Sequence, residues 1–334
     1  MTFGIHDPAI SRVDISELST TISPTGSPPA ADVCVSAILA WTAWSRLINP
    51  ARVGFNPTFL SVGNLESMFT SAAILIVLAI GQTFVVATAG IDLSIASAMT
   101  LAAVIFGLVF DAGLLAAVVA AILTGLAVGV INGLLIARGR ITDFIVTLGT
   151  LSAASGAALI FADGKPKTII SPPLLKLSTG TIGIFGYSFV IAIVLAVIAH
   201  IVLFHTRFGT YVLATGGNAE AAAATGVSTA RIKTAVYVIA GLTAGIAAIL
   251  LVARVGAAEP AANTSFLLNS VAAVVLGGVS LFGGRATIAG PVIGALLLTA
   301  LVNGLTLLGV SQFYQPLSVG IVVVAAAFLT RFQK

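Results

Sequence analysis

Apolar stretches recur along almost the whole chain and are separated by short polar connections. A helix needs roughly 20 mostly apolar residues to cross the hydrocarbon core of a bilayer. About ten stretches approach that length, at approximately 33–50, 67–89, 94–111, 112–137, 143–162, 184–204, 235–256, 267–283, 287–309 and 314–330. Several are short or interrupted by glycine. The pattern therefore predicts an all-α polytopic membrane protein with about ten transmembrane or partly re-entrant helices.

The beginning of the chain differs from the rest because it is polar. Residues 1–32 contain four prolines among Ser, Thr and Asp. This composition has too little apolar surface to fold alone. We therefore expect a disordered cytoplasmic tail over 1–32 and one transmembrane domain over 33–334.

The composition supports a membrane protein and excludes several other classes. The mean hydropathy is +1.15, and only 8% of the residues are charged, which is too few for a water-facing surface of this size. The net charge of +4 does not indicate nucleic-acid binding, because the basic residues are dispersed between apolar stretches. With Cys34 as the single cysteine, neither an intramolecular disulfide nor a cysteine metal cluster is possible.

The distribution of basic residues predicts an orientation, because cytoplasmic connections carry an excess of Lys and Arg. If the N-terminus is cytoplasmic, the larger group of basic residues falls inside: Arg12, Arg138, Arg140, Arg207, Arg231, Lys233, Arg285, Arg331 and Lys334. The outer side receives Arg46, Arg52, Lys165, Lys167, Lys176 and Arg254. Both termini are therefore expected in the cytoplasm. The prolines of the longest outer connection, 163–183, are expected to resist helix formation.

One charged, alanine-rich segment, "GGNAEAAAATGVSTARIK" at 216–233, interrupts the apolar pattern. Asn218 is a suitable N-cap, Glu220 places a negative charge in the first turn, and Gly226 is a natural C-terminal stop. These residues predict a helix of about two turns. Ser228 is expected to cap a second helix that carries Arg231 before the next span. Because so short a helix is marginal in water, either the protein's own surface or a partner should hold it.

Motifs for catalysis are missing from the sequence. It contains no phosphate-binding G-x-x-x-x-G-K-[ST] loop, so the chain by itself is not expected to hydrolyse ATP. His200 and His205 are five residues apart at the end of one stretch, but no further metal ligands cluster nearby. We therefore predict a non-catalytic protein without a metal or cofactor of its own.

Asp92, in "VVATAGIDLSIAS", lies where two apolar stretches meet. An acid here is costly and is therefore a functional candidate, although its carboxylate can equally cap the helix that follows Ser94. A weak echo occurs in "VVLGGVSLFGGR", where Gly278 and Ser280 occupy the places of Gly90 and Asp92. The echo suggests two related halves around a central pathway.

Uncharged polar residues within the spans need hydrogen-bond partners in lipid, and they either join helices or line a polar path. Together with the Asp92 motif and its echo they form the candidate pathway or structural set, which is Gln82, Gly90, Asp92, Ser94, Asn132, Gly277, Gly278 and Asn303. No chain of Asp, Glu and His crosses the spans, which weakens a proton-coupled carrier.

Four motifs carry a resemblance to a known family. They are "GQTFVVATAGIDLSIAS", "NGLLIARGRITDFIVTLGTLSAASGAALIF", "GGNAEAAAATGVSTARIKTAVYVIAGLTAGIAAILL" and "AAVVLGGVSLFGGRATIAGPVIGALL". In order and spacing they resemble the membrane permease subunits of ribose-type ABC sugar importers, over roughly residues 65–330. The resemblance implies the fold of a type II ABC importer, located in the bacterial inner membrane.

The resemblance also implies partners and a role for the segment at 216–233. Such a subunit pairs with a second permease subunit, engages a cytoplasmic ATP-binding subunit that holds ATP and Mg, and receives a monosaccharide from an extracytoplasmic sugar-binding protein. Its cytoplasmic loop, about 205–234 here, contains the coupling helix. The family's pattern matches Glu220, Ala221, Ala222 and Gly226. We add Asn218, the predicted N-cap, and Arg231, on the helix predicted to follow.

The sequence departs from the family at three places. Ala89 replaces the first glycine of a pair before "IDLS", Leu267 and Asn269 replace acids, and Ala286 replaces a glycine. Two other functions remain open: an ion-gradient-driven secondary carrier of a small polar solute, and a structural membrane anchor for a partner assembly.

Overall fold

The computed structural model describes residues 58–330, apart from residues 262 and 312. This part of the chain is predominantly helical, as the all-α prediction requires. The helices are α1 (Val62–Ala87), α2 (Ile95–Val109), α3 (Leu114–Ala137), α4 (Asp143–Phe161), α5 (Pro172–Thr179), α6 (Tyr187–Phe204), α7 (Arg207–Gly217), α8 (Ala219–Ala224), α9 (Thr229–Val255), α10 (Thr264–Leu276), α11 (Ala289–Leu307) and α12 (Gln315–Thr330). The expected tail over 1–32 and the stretch 33–50 lie outside the described residues.

Seven of the described helices are long and apolar enough to cross a membrane: α1, α2 with its 3-10 extension Phe110–Ala112, α3, α4, α6, α9 and α11. The predicted span 267–283 is wrong as a continuous crossing. Its helix, α10, has 13 residues and ends at Leu276, before the glycine-rich segment 277–284. Hydropathy does not detect this end, because the non-helical segment is itself apolar.

Two other predicted boundaries were wrong. The expected second helix at Ser228 and the span from about 235 are one helix, α9, of 27 residues, and Ser228 makes no side-chain capping bond. The connection 163–183 contains α5, in which proline occupies the first turn. Proline is tolerated there because the first N–H groups of a helix have no intrahelical partner.

Helix α1 forms the centre of the bundle and packs against α6, α9, α10 and α11. In its most apolar 18-residue window, 89% of the residues are buried. The helix is apolar on every face, which suits a position surrounded by other helices. By contrast, α3, α4 and α6 bury 28%, 22% and 33% of their windows, so their outer faces are available to lipid or to another subunit.

Glycines bring α3 and α9 into backbone contact. A Cβ added at Gly125 would meet the carbonyl oxygen of Gly241 and lie 2.8 Å from the Gly245 nitrogen, and one at Gly133 would lie 2.8 Å from the Thr234 Cα. Lipid supplies no hydrophobic drive for helices to associate, so such close packing supplies the attraction. The glycines of these spans thus serve helix packing.

The helices alternate in direction, so their connections gather at two ends. We call one of them the basic end, which is formed by 88–94, 138–142, 205–228 and 277–288. This end, together with the first helical turns beside it, holds Arg138, Arg140, Arg207, Arg231, Lys233 and Arg285. The opposite end holds Lys165, Lys167 and Lys176. There β1 (Lys167–Thr168) pairs antiparallel with β4 (Ala257–Ala258), and β2 (Thr181–Ile182) pairs with β3 (Phe185–Gly186).

Candidate functional site at the basic end

The short helix α8 lies exposed at the basic end. The Asn218 Oδ1 accepts a hydrogen bond from the Ala221 N–H at 2.9 Å, so the predicted N-cap is confirmed. Gly226 has φ +90°, a conformation that favours glycine, and the helix ends shortly before it, at Ala224. Only Ala222 of this helix is buried, whereas Glu220 and the other alanines are exposed. The helix therefore presents a small, nearly flat surface with one negative charge.

The end of α7, just before α8, is held against two other connections. A Cβ on Gly216 would collide with the carbonyl oxygen of Ala87 and lie 2.6 Å from the Gly284 nitrogen. The Gly284 N–H itself donates to the Ala87 carbonyl at 3.1 Å. The end of α7, which leads into α8, is therefore in backbone contact with the segment that follows α1 and with the segment that follows α10.

Those two segments have the same turn, but in a different register from the predicted echo. The Gly90 N–H donates to the Val85 carbonyl at 3.1 Å, and the Val279 N–H donates to the Val274 carbonyl at 3.2 Å. The left-handed residues are Ala89 (φ +58°) and Gly278 (φ +74°), as in a Schellman motif. Ala89 thus corresponds to Gly278, so the proposed pairing of Gly278 with Gly90 was wrong by one residue.

Asp92 begins a chain of buried hydrogen bonds. Its Oδ1 accepts from the Ser94 N–H at 2.8 Å and from the Ser94 hydroxyl at 2.6 Å. The Asn132 amide donates to the Ser94 Oγ at 2.8 Å, and the Thr150 hydroxyl donates to the Asn132 Oδ1 at 2.6 Å. Asp92, Ser94 and Asn132 are each at most 3% exposed. This chain joins the start of α2 to α3 and α4. Asp92 accepts a backbone N–H just before α2, as its predicted role at the start of that helix requires.

A second group of contacts holds the same connection from the side of α9. The Tyr237 hydroxyl donates to the Ile91 carbonyl at 3.1 Å, and Lys233 Nζ lies 3.9 Å from Asp143 Oδ1. A Cβ on Gly90 would lie 2.8 Å from Asp143 Oδ2. Asp92 lies in the connection between α1 and α2, outside both helices. Burial raises the pKa of its carboxyl, and the hydrogen bonds from Ser94 oppose that shift. The connection is thus fixed by α3, α4 and α9 together.

The remaining candidates do not join this cluster. Asn303 lies toward the opposite end, where its amide and that of Asn64 exchange two hydrogen bonds of 2.9 and 3.0 Å. Gln82 is buried in α1, and neither of its amide atoms has a hydrogen-bond partner in the described part of the chain. Gly277 packs against the backbone of Gly290 and Pro291. The structure therefore separates the predicted pathway set into four places: the Asp92 cluster, Gln82 within α1, Asn303 toward the opposite end, and the glycines after α10.

Several residues of the cluster were not predicted. Asp143 and Lys233 lie near the ends of spans, where a charge is ordinary, and Tyr237 is a single polar aromatic residue in an apolar run. The run of hydroxyl residues in α4 was the only signal that could have indicated Thr150. The sequence around Gly216 gave no signal of its backbone contacts, because the segments that it contacts are distant along the chain.

Comparison with known proteins identifies the class. Residues 64–327 match the family model described as "Branched-chain amino acid transport system / permease component". The chain belongs to this permease family. The ribose import permease of Escherichia coli K12 is 36% identical over 286 residues, covering 82% of this chain and 87% of the relative. That of Bacillus subtilis 168 is 38% identical over 286 residues, covering 83% and 87%.

A third relative extends the similarity over almost the whole permease. The L-arabinose ABC transporter permease of Azospirillum brasilense is 31% identical over 331 residues, covering 95% of this chain and 98% of the relative. No solved structure matches the permease. Together with the seven apolar helices, the family identifies an integral membrane protein of an ABC transport system.

Proposed function

We propose that this permease translocates a monosaccharide across the bacterial cytoplasmic membrane as one subunit of an ATP-driven importer. Relatives that cover most of the chain are named for ribose and L-arabinose, and a D-allose permease is 31% identical over 276 residues. All three names are those of neutral, polyhydroxylated sugars. The family description names branched-chain amino acids, but the individual relatives named above favour a sugar.

Helix α8 is proposed as the contact with the cytoplasmic ATP-binding subunit. The observation that carries the functional proposal is that this short, capped helix is exposed. The helix is too short to be stable alone, only Ala222 is buried, and its caps fix its direction. A cleft in a partner would supply the missing packing. Motion of α8 would then pass through Gly216 to two places. One is Ala87, at the end of α1, and the other is Gly284, in the segment before α11. Alternating access would follow from tilting these helices.

The remaining parts of the importer are assigned by the same proposal. ATP and Mg bind the partner subunit, so this chain performs no covalent chemistry and holds no cofactor. The basic end faces the cytoplasm, as the excess of basic residues favours, and both termini are on that side. The opposite end receives the sugar from an extracytoplasmic binding protein.

A second permease subunit is proposed to pack against α4. This helix leaves most of its surface exposed, and a Cβ at Gly149 or Gly156 would meet no atom of the described chain within 4 Å. Ser152 is exposed between them. Small residues on an outer face allow another helix to approach closely, so the sugar pathway would lie between the two subunits.

The experiment is charge reversal of the exposed acid on α8. We expect Glu220→Lys to reduce both co-purification with the ATP-binding subunit and ATP-driven sugar uptake. Glu259→Lys reverses an exposed acid at the opposite end and should leave co-purification unchanged. Unchanged binding and uptake in Glu220→Lys would contradict the coupling role. Lost binding with full uptake would contradict the ATP-driven mechanism.

The same preparation separates the other two functions. Uptake into vesicles by this chain alone, with an ion gradient and no ATP, would favour a secondary carrier. Stable association with partner subunits but no uptake in any reconstituted combination would favour a structural anchor.

A further inference from the structure

A groove of about 520 Å³ opens at the basic end between the end of α3, the start of α7 and the first turns of α9. Two exposed guanidinium groups stand at this groove. Arg138 follows the last residue of α3, and Arg231 lies in the first turn of α9. Within residues 58–330, leaving out 262 and 312, neither makes an ion pair. The groove thus carries two positive charges that no described residue neutralises.

The wall next to the arginines is apolar and runs into the membrane-spanning part. Phe208, Ala235, Val238 and Ile239 line it and are half-buried. At about 1.5 Å per residue, α9 rises about 10 Å between Arg231 and Val238. The charge is therefore near the helix ends, and the apolar wall extends from it along α9 toward the middle of this membrane-spanning helix.

We propose that this groove binds one anionic phospholipid, with its phosphate between Arg138 and Arg231 and an acyl chain along the wall of α9. Arginine matches phosphate through parallel N–H groups, and basic pockets between spanning helices suit anionic headgroups. No acidic residue lines the groove, so its charge is complementary to an anion. The inference depends on membrane embedding and not on the transported substrate.

The test uses the full chain in detergent, titrated with phosphatidylglycerol or with phosphatidylcholine of the same acyl chains. Bound lipid is counted by native mass spectrometry. We expect saturable binding of one phosphatidylglycerol and weak binding of phosphatidylcholine. The double variant Arg138→Gln, Arg231→Gln should weaken phosphatidylglycerol binding about 25-fold, from about 5-fold for each basic group. Arg285→Gln, at the same end but outside the groove, should bind like the unmodified chain.

A second variant tests the apolar wall without changing the charge. Ala235→Phe should narrow the groove along the wall of α9 and weaken phosphatidylglycerol binding, with a thermal unfolding measurement to show that the variant is folded. Equal phosphatidylglycerol binding by the unmodified chain and the arginine double variant would overturn the proposal. So would competition by soluble glycerol 3-phosphate as strong as that by the lipid, because the wall would then contribute nothing.

One further outcome would assign the groove to another occupant and overturn the lipid proposal. If the arginine double variant keeps its lipid but loses the ATP-binding subunit on purification, the groove belongs to a protein partner.

Discussion

Replacing Gly216 with alanine tests the backbone contact that joins α7 to the two connections of the basic end. The added Cβ would collide with the Ala87 carbonyl oxygen and approach the Gly284 nitrogen at 2.6 Å. Both contacted groups belong to the main chain, so no flexible side chain can move aside. Overpacking of this kind costs about 1–3 kcal/mol, offset by up to about 1 kcal/mol from the better helix propensity of alanine.

The neighbouring Gly217 provides a matched control. It lies in the same last turn of α7, and a Cβ there would have its nearest atom, the Gly284 Cα, at an ordinary 3.8 Å. Gly217→Ala therefore gains the same helix propensity without the collision. The difference between the two variants isolates the contact and should be about 1–3 kcal/mol.

The assay is thermal unfolding of both purified variants in the same detergent. Chains of about 150–250 residues shift by about 2–4 °C per kcal/mol, and larger chains shift by less, so Gly216→Ala should unfold a few degrees below Gly217→Ala. Equal unfolding midpoints would refute the reasoning, because they would mean that the three backbones separate at no cost. ATP-driven uptake by the two variants would then show whether the same contact transmits motion.

Three further outcomes follow from the described contacts. Ala89→Gly should raise the unfolding midpoint, because Ala89 has φ +58° and a left-handed alanine costs about 1 kcal/mol; a lower midpoint would contradict this. Asp92→Ala should destabilise by about 1–3 kcal/mol for the Ser94 N–H left unsatisfied, and Asp92→Asn by less, since it keeps the acceptor oxygen; equal losses would argue that the charge matters instead. Asn64→Leu or Asn303→Leu alone should lower the free energy of unfolding by more than half of the loss in the double variant, since each leaves a part-buried amide without its partner. Simple additivity in the double-mutant cycle would show that the pair is not coupled.

The helical elements were largely predictable because they depend on residues close in sequence. Hydropathy located the described spans to within several residues, and the cap at Asn218 involves an amide only three residues away. The hydrogen bond from Ser94 to Asp92 spans two residues and was predictable for the same reason. The errors arose where an apolar segment is not helical, as after Leu276, or where proline begins a helix, as in α5.

The contacts between distant segments were not predictable in this way. Asn132 meets Ser94 across 38 positions, and Asn64 meets Asn303 across 239. Each amide needed a partner, but several polar groups were available, and only the packing of the helices selects among them. The close approach at Gly216 depends on three segments that are far apart in the chain.

By itself, the sequence determined that this chain enters a membrane, where most of its helices begin and end, and that a capped polar helix interrupts them. Only the tertiary structure decided which helix is central. Helix α1 has a mean hydropathy of 2.1 and is 89% buried, whereas α3, at 2.7, is only 28% buried. Lipid and protein interior are both apolar, so hydropathy does not distinguish a helix that faces lipid from one enclosed by other helices.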